Sequence, residues 1–124
     1  YYTPPEVVNA MVRLVDEALS RPEGFALRGG FAAPAVTVVD PAVGTGTFLL
    51  GAVRQLARRV AADEGDGAVP AALAAAVHRL IGFELQLGPF AVAQLRVLAE
   101  CAELAGPAAR LPRMYVTDTL GNPY

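Results

Sequence analysis

Three acids stand at the ends of apolar runs: Asp40 closes Val36-Thr37-Val38-Val39, Glu84 closes Leu80-Ile81-Gly82-Phe83, and Asp118 closes Met114-Tyr115-Val116-Thr117. A carboxylate accepts hydrogen bonds and attracts positive charge, so three of them in one place suit a ligand rich in N–H and O–H donors. The first acid runs into Pro41-Ala42-Val43-Gly44-Thr45-Gly46-Thr47-Phe48. Glycine tolerates positive φ and lets a ligand approach the main chain, while a helix that follows offers unpaired N–H groups and a partial positive charge. Acid, glycine turn and helix start together make a binding site for a small polar molecule.

These residues need elements to hold them. Each β-branched or aromatic run reads as a strand, and the pattern of strand, turn and helix repeats along the chain, which predicts a parallel α/β sheet. Ligands bind outside the carboxyl ends of such strands, so Asp40, Glu84 and Asp118 are expected to line one crevice. Ahead of the first strand, Thr3 and Glu6 have capping-box spacing, with Pro4 at the first helical position. Val8, Met11, Val12, Val15 and Leu19 form its apolar stripe, so a helix is predicted over 4–19. Residues 20–34, with Pro22, Gly24, Gly29 and Gly30, read as a loop in which Arg21 and Arg28 are solvated.

After the glycine turn, Leu49, Val53, Leu56 and Val60 mark the buried face of a second helix, with Arg54, Arg58 and Arg59 facing out. A short helix over 70–79 leads into the second strand. Pro89 is expected to open a further helix with Ala91, Leu95, Leu98 and Ala102 inward, stopped by Gly106-Pro107. His78 and Cys101 are each alone of their type; neither makes a metal site or a nucleophile with its neighbours, and both read as structural.

The ligand follows by elimination. A phosphate-binding P-loop requires a lysine, and the chain has none. A dinucleotide site requires glycine or alanine three residues after the second glycine, where Leu49 stands, and Asp40 would repel a pyrophosphate at this turn. S-adenosylmethionine (SAM) carries a sulfonium, an ammonium, a ribose diol and an adenine amine but no phosphate, and it offers donors to several carboxylates.

Composition narrows the class further. The chain has 124 residues, 54% of them hydrophobic, enough for the core of one small domain. A net charge of −2 gives no general attraction to nucleic acid. One cysteine excludes an internal disulfide framework, no run approaches the roughly 20 apolar residues of a membrane span, and no signal-peptide pattern opens the chain. A cytoplasmic protein with no membrane association is the expectation.

Taken in order, Tyr2-Thr3-Pro4, Asp40-Pro41-Ala42-Val43-Gly44-Thr45-Gly46-Thr47-Phe48, Gly82-Phe83-Glu84-Leu85 and Asp118-Thr119-Leu120 resemble the SAM-dependent N6-adenine DNA methyltransferases of restriction-modification or phage-defence type. The resemblance spans essentially the whole chain. It implies a partial Rossmann-like class I methyltransferase fold with three parallel strands and flanking helices. Residues 1–20 would be the amino-terminal helix and 35–124 the βαβαβ cofactor half. By the same resemblance, Asp40 lies near the SAM ammonium, with the Gly44-Thr45-Gly46 turn around the methionine moiety and Thr3 fixing its tail. Glu84 accepts from the ribose diol, and Asp118 from the adenine amine, with Leu85 and Thr119 against the ring. Tyr2, Pro4, Pro41, Ala42 and Phe48 complete the cofactor-binding set.

The family's catalytic loop, Asn/Asp-Pro-Pro-aromatic, follows a fourth strand and holds a base flipped out of the duplex. Here Asn122-Pro123-Tyr124 is one proline short and too close to Asp118 for a strand to intervene, so it reads as a turn, and no catalytic residue is assigned. The segment is therefore expected to work with the remaining methyltransferase and target-recognition regions of a longer protein, which would contact DNA. It would expose one flank of its first strand, an edge open to self-association. A SAM-dependent enzyme acting on protein or small molecules, and a non-catalytic SAM-binding module, are the other readings.

Overall fold

A computed structural model describes residues 3–118. Four α-helices, α1 (Pro5–Ser20), α2 (Thr47–Glu64), α3 (Val69–Ala76) and α4 (Leu87–Ala105), alternate with β1 (Val38–Asp40), β2 (Leu80–Glu84) and β3 (Arg113–Val116). The strands form one parallel sheet in the order β1-β2-β3, with Asp40 beside Gly82 and Glu84 beside Val116. Parallel pairing puts all three carboxyl ends at the same end of the sheet, but of the three acids only Asp40 lines the cleft found there. The third strand is shorter than its sequence pattern suggests: it ends at Val116, two residues before Asp118.

Side chains alternate across the sheet, and the two faces differ. Gly82 looks into the helix layer, where a side chain would collide with Val43 and Leu49; Leu80, on the same face, is fully buried. On the opposite face Phe83 and Tyr115, paired in register, stack with ring centroids 5.6 Å apart. No helix long and apolar enough to cross a membrane occurs among the described residues.

Helix α1 begins one residue later than its capping-box pattern predicts. Pro4 is the N-cap and Pro5 the first helical residue, and no side chain caps the helix. Neither proline has an N–H, which leaves fewer free amides in the first turn, and those of Val7 and Val8 both donate to the Pro4 carbonyl, at 3.0 and 3.1 Å. The buried ridge of α1 is Val8, Val12 and Asp16, while Met11 and Val15 stand on its flank about half exposed. Val8 and Val12 meet α2 at Gly51, where a methyl group would come within 3.1 and 3.3 Å of them.

Asp16 is fully buried, and it gathers three segments. Its Oδ1 accepts from the Phe31 backbone N–H at 3.0 Å, while Oδ2 accepts from Gln55 Nε2 at 3.1 Å and lies 3.4 Å from Arg59 Nη1. Arg59 therefore does not face outward. It spans Asp16 and Asp63, its Nε 3.3 Å from the latter without hydrogen-bond alignment. Arg54 and Arg58 are exposed as expected, the first paired to Glu100 at 3.0 Å and the second donating to Gln55 Oε1. The predicted core face of α2, Leu49, Val53, Leu56 and Val60, is buried.

Helix α4 turns a different face inward from the one its leucines suggest. Ala93, Val97, Cys101 and Ala105 are buried, whereas Leu95 is 68% and Leu98 44% exposed and Ala91 and Ala102 also face out. The reason is the close approach of α4 to the glycine turn: Ala93 sits where any Cβ on Gly46 would be 3.1 Å away, and a leucine there would not fit. Cys101 is fully buried, and burial pushes its thiol up to about 11, the behaviour of a packing residue.

Replacing Asp16 with alanine strands the Phe31 amide and the Arg59 guanidinium at once. Because Arg59 keeps a quarter of its side chain in water, the expected loss is at the lower end for a broken buried ion pair, about 3 kcal/mol in a urea-unfolding measurement of Asp16→Ala. A loss under about 0.5 kcal/mol, the range of ordinary surface changes, would show that Asp16 does not tie these segments together.

Candidate functional site: the glycine turn and the strand ends

Between β1 and α2 the chain makes a turn held by several backbone hydrogen bonds. Asp40, the last residue of β1, folds its carboxylate back to accept from the Ala42 N–H at 3.0 Å. The Val43 N–H crosses to the Phe83 carbonyl at 2.9 Å and the Gly46 N–H closes onto the Val43 carbonyl at 3.0 Å. Gly44 and Gly46 have φ of 59° and 87°, left-handed values that only glycine adopts at little cost. Gly46 is also the N-cap of α2. A Cβ on Gly44 would meet nothing within 4 Å, so the space in front of the turn is open.

Glu84, the last residue of β2, reaches this turn from below. Its Oε1 accepts from the Gly44 N–H at 2.7 Å, and its Oε2 from the Gln86 N–H at 2.9 Å. The bond from Gln86 is the largest influence holding its carboxyl below the ordinary value of 4.5; partial burial opposes it, and the amides of Gly44 and Leu85 add to it. Glu84 is therefore ionised at neutral pH, with lone pairs still available for further donors.

The remaining residues singled out in the sequence distribute as follows. Asp40, Pro41, Ala42, Gly44, Thr45, Gly46 and Glu84 come together at the turn. Phe48 lies half-buried at the start of α2, in a cleft of about 320 Å³ shared with Asp40, Pro41, Met11, Val15 and Phe31. Thr3 and Pro4 precede α1, whose middle turns line that cleft. Leu85 projects into solvent, 62% exposed, and Asp118 is exposed beyond the end of β3. Tyr2, Thr119, Asn122, Pro123 and Tyr124 lie outside the described residues. No group of His, Cys, Asp and Glu capable of holding a metal occurs among the described residues.

Two polar residues with structural work at or near the site were not singled out by sequence. Arg96 on α4 donates to the Thr45 carbonyl at 2.8 Å and lies 3.2 and 3.3 Å from the hydroxyls of Thr45 and Thr47. It stands 51 residues from Thr45, and no local pattern announces such a contact. Asp16 could have been noticed, since it falls four residues after Val12 on the buried ridge of α1.

A parallel sheet with a glycine turn after its first strand and an acid ending its second defines a partial Rossmann-like methyltransferase domain. Residues 1–122 match the N-6 DNA Methylase family, and the chain belongs to that family. Among solved structures it is similar to the DrdV–DNA complex (28% identity, TM-score 0.76), covering 97% of this chain and 10% of that one. It is also similar to a nuclease-deletion mutant of the Type ISP restriction-modification enzyme LlaGI bound to a DNA substrate mimic (26% identity, TM-score 0.81, 95% of this chain and 9% of that one). A modification subunit of a putative type I restriction enzyme from Vibrio vulnificus YJ016 shares 27% identity at a TM-score of 0.58, over 97% of this chain and 19% of that one. The chain thus spans about a tenth to a fifth of the length of these proteins. Comparison with curated proteins finds no match.

The depressed pKa of Glu84 has a consequence for pH. A carboxyl held below its unfolded value adds stability that is complete above that value and is lost as pH falls through the lower, folded one. The stability difference between the wild type and Glu84→Gln is therefore expected to stay constant from pH 8 to about 5 and to shrink only below 4.5. Denaturant titrations across this range check it; a difference that already declines between pH 7 and 5 would contradict an ionised, amide-bound Glu84.

Proposed function

We propose that this chain is the SAM-binding part of an enzyme that transfers a methyl group to N6 of adenine in DNA. The observation that carries the reading is the Glu84 carboxylate, ionised at the end of β2 and bonded to the Gly44 amide of a turn that opens onto free space. Membership of the N-6 DNA methylases, a SAM-dependent family in general, supplies the reaction class. The similar DrdV and LlaGI structures, solved in complex with DNA and a DNA substrate mimic, support DNA as the partner of the whole protein.

The residues present fit SAM. Glu84 holds the ribose diol, a bidentate task for a carboxylate that is already oriented by two backbone amides. Asp40 lies at the neighbouring strand end, where the ammonium of the amino-acid tail finds a negative charge, and the Gly44-Thr45-Gly46 backbone comes close because no side chain stands at Gly44. Thr3 steadies the tail. The family resemblance assigns Asp118, with Leu85 and Thr119, to the adenine, and Tyr2, Pro4, Pro41, Ala42 and Phe48 to the rest of the cofactor-binding set. SAM supplies an activated methyl group, and the protein's contribution here is to bind it and orient it. No residue of this chain is assigned to the transfer itself. That step belongs to further regions of the whole protein, which also read the target sequence; residues 35–124 serve as the βαβαβ cofactor half, with 1–20 as its amino-terminal helix.

Calorimetric titration with SAM tests the cofactor assignment. Glu84→Ala removes a charged acceptor of two hydrogen bonds and is expected to weaken binding about 10- to 100-fold. A folded wild-type protein that gives no binding signal would overturn the reading.

A further inference from the structure

We infer that Arg96 is a positioning residue for the methionine moiety of SAM, acting through the Thr45–Gly46 peptide; the assignment rests on the SAM-binding function proposed above. That peptide joins Thr45 to Gly46, whose positive φ costs a glycine little, so its plane is freer to rotate than one between two larger residues. It is held at both ends. Its N–H donates to the Val43 carbonyl at 3.0 Å, and its carbonyl accepts from Arg96 Nη1 at 2.8 Å, a charge-assisted bond delivered from a different helix. The same nitrogen lies 3.2 Å from Thr45 Oγ1 and 3.3 Å from Thr47 Oγ1, so one guanidinium fixes both the turn and the first residue of α2.

The contact is specific to the carbonyl side of the turn. Three residues before Arg96 on the same helix, Ala93 packs against Gly46 at a distance that admits no larger side chain, which places α4 close enough for the arginine to reach back. Asp40 and Glu84 grip the turn through amides, at Ala42 and Gly44. Arg96 grips it through an oxygen, the Thr45 carbonyl, and so fixes which way that oxygen points. Without the guanidinium the Thr45 carbonyl is free to swing toward the bound amino-acid tail, whose carboxylate it would repel. The ribose is held by Glu84 and does not depend on this peptide.

This separation of tasks makes the assignment testable in the protein expressed from its complete reading frame. The probes are SAM and 5′-methylthioadenosine, which has the nucleoside without the amino-acid tail. Arg96→Met is expected to weaken SAM about fivefold, as befits loss of an exposed charge-assisted hydrogen bond. 5′-Methylthioadenosine binding and the melting temperature are expected to stay unchanged. Arg96→Lys, which keeps one charged donor, is expected to restore most of the SAM affinity. Wild-type protein that binds SAM, with Arg96→Met binding it equally well, overturns the inference alone. Equal weakening of both ligands, or a Lys variant no better than Met, also overturns it by assigning Arg96 to general structure. Failure of the wild type to bind SAM overturns the proposed function together with this inference.

Discussion

The hydrogen bond from the Gly44 amide to Glu84 is the contact on which the site depends. It crosses from the loop after β1 to the end of β2, and its 2.7 Å length marks a charge-assisted bond. It forms only because β2 runs two residues further than β1, which carries the carboxylate up to the level of the turn. The parallel register and the position of this one acid thus decide where the glycine turn sits. Once there, the turn leaves Gly44 facing open space while the Val43, Gly44 and Gly46 amides are engaged.

Close packing of small residues makes that geometry possible. Gly82 lacks a side chain where Val43 and Leu49 lie over β2, Gly46 meets Ala93, and Gly51 lets α1 cross α2 at Val8 and Val12. Each contact draws a helix or loop nearer the sheet than a larger residue would allow. One consequence is visible on α4, where the small residues face inward and Leu95 and Leu98 are left in solvent. Asp16 joins α1, α2 and the segment at Phe31 through polar contacts in a buried setting, where every acceptor that is filled fixes an orientation.

Much of this was legible before the structure. The three strands, their parallel pairing, the glycine turn and the core face of α2 follow from patterns of period two and period 3.6 and from local turn chemistry. What was not legible arises from contacts distant in sequence. The inward face of α4 is set by Gly46, and a hydrophobicity pattern ranks leucine above alanine without knowing how close the neighbour lies. The Thr3–Glu6 pattern yields no cap because the helix starts one residue later, with Pro4 rather than Thr3 as N-cap, and the Pro4 carbonyl takes the Val7 and Val8 amides. Arg59 looks like an outward charge until Asp16 is known to be buried beside it. Asp118 has the strand-ending pattern of the other two acids, yet β3 stops at Val116 and the acid lies on the exposed segment beyond.

These features, a three-stranded parallel sheet in a chain of the N-6 DNA methylase family, underlie the proposal that the chain binds the methyl donor for transfer to adenine in DNA. Its most direct test is the fate of the methyl group. Protein expressed from the complete reading frame is incubated with methyl-labelled SAM and duplex DNA, and the DNA is digested to nucleosides. The account predicts label in N6-methyldeoxyadenosine, abolished by Glu84→Ala. Label recovered in cytosine, in protein or in a small molecule, with none in adenine, would contradict it.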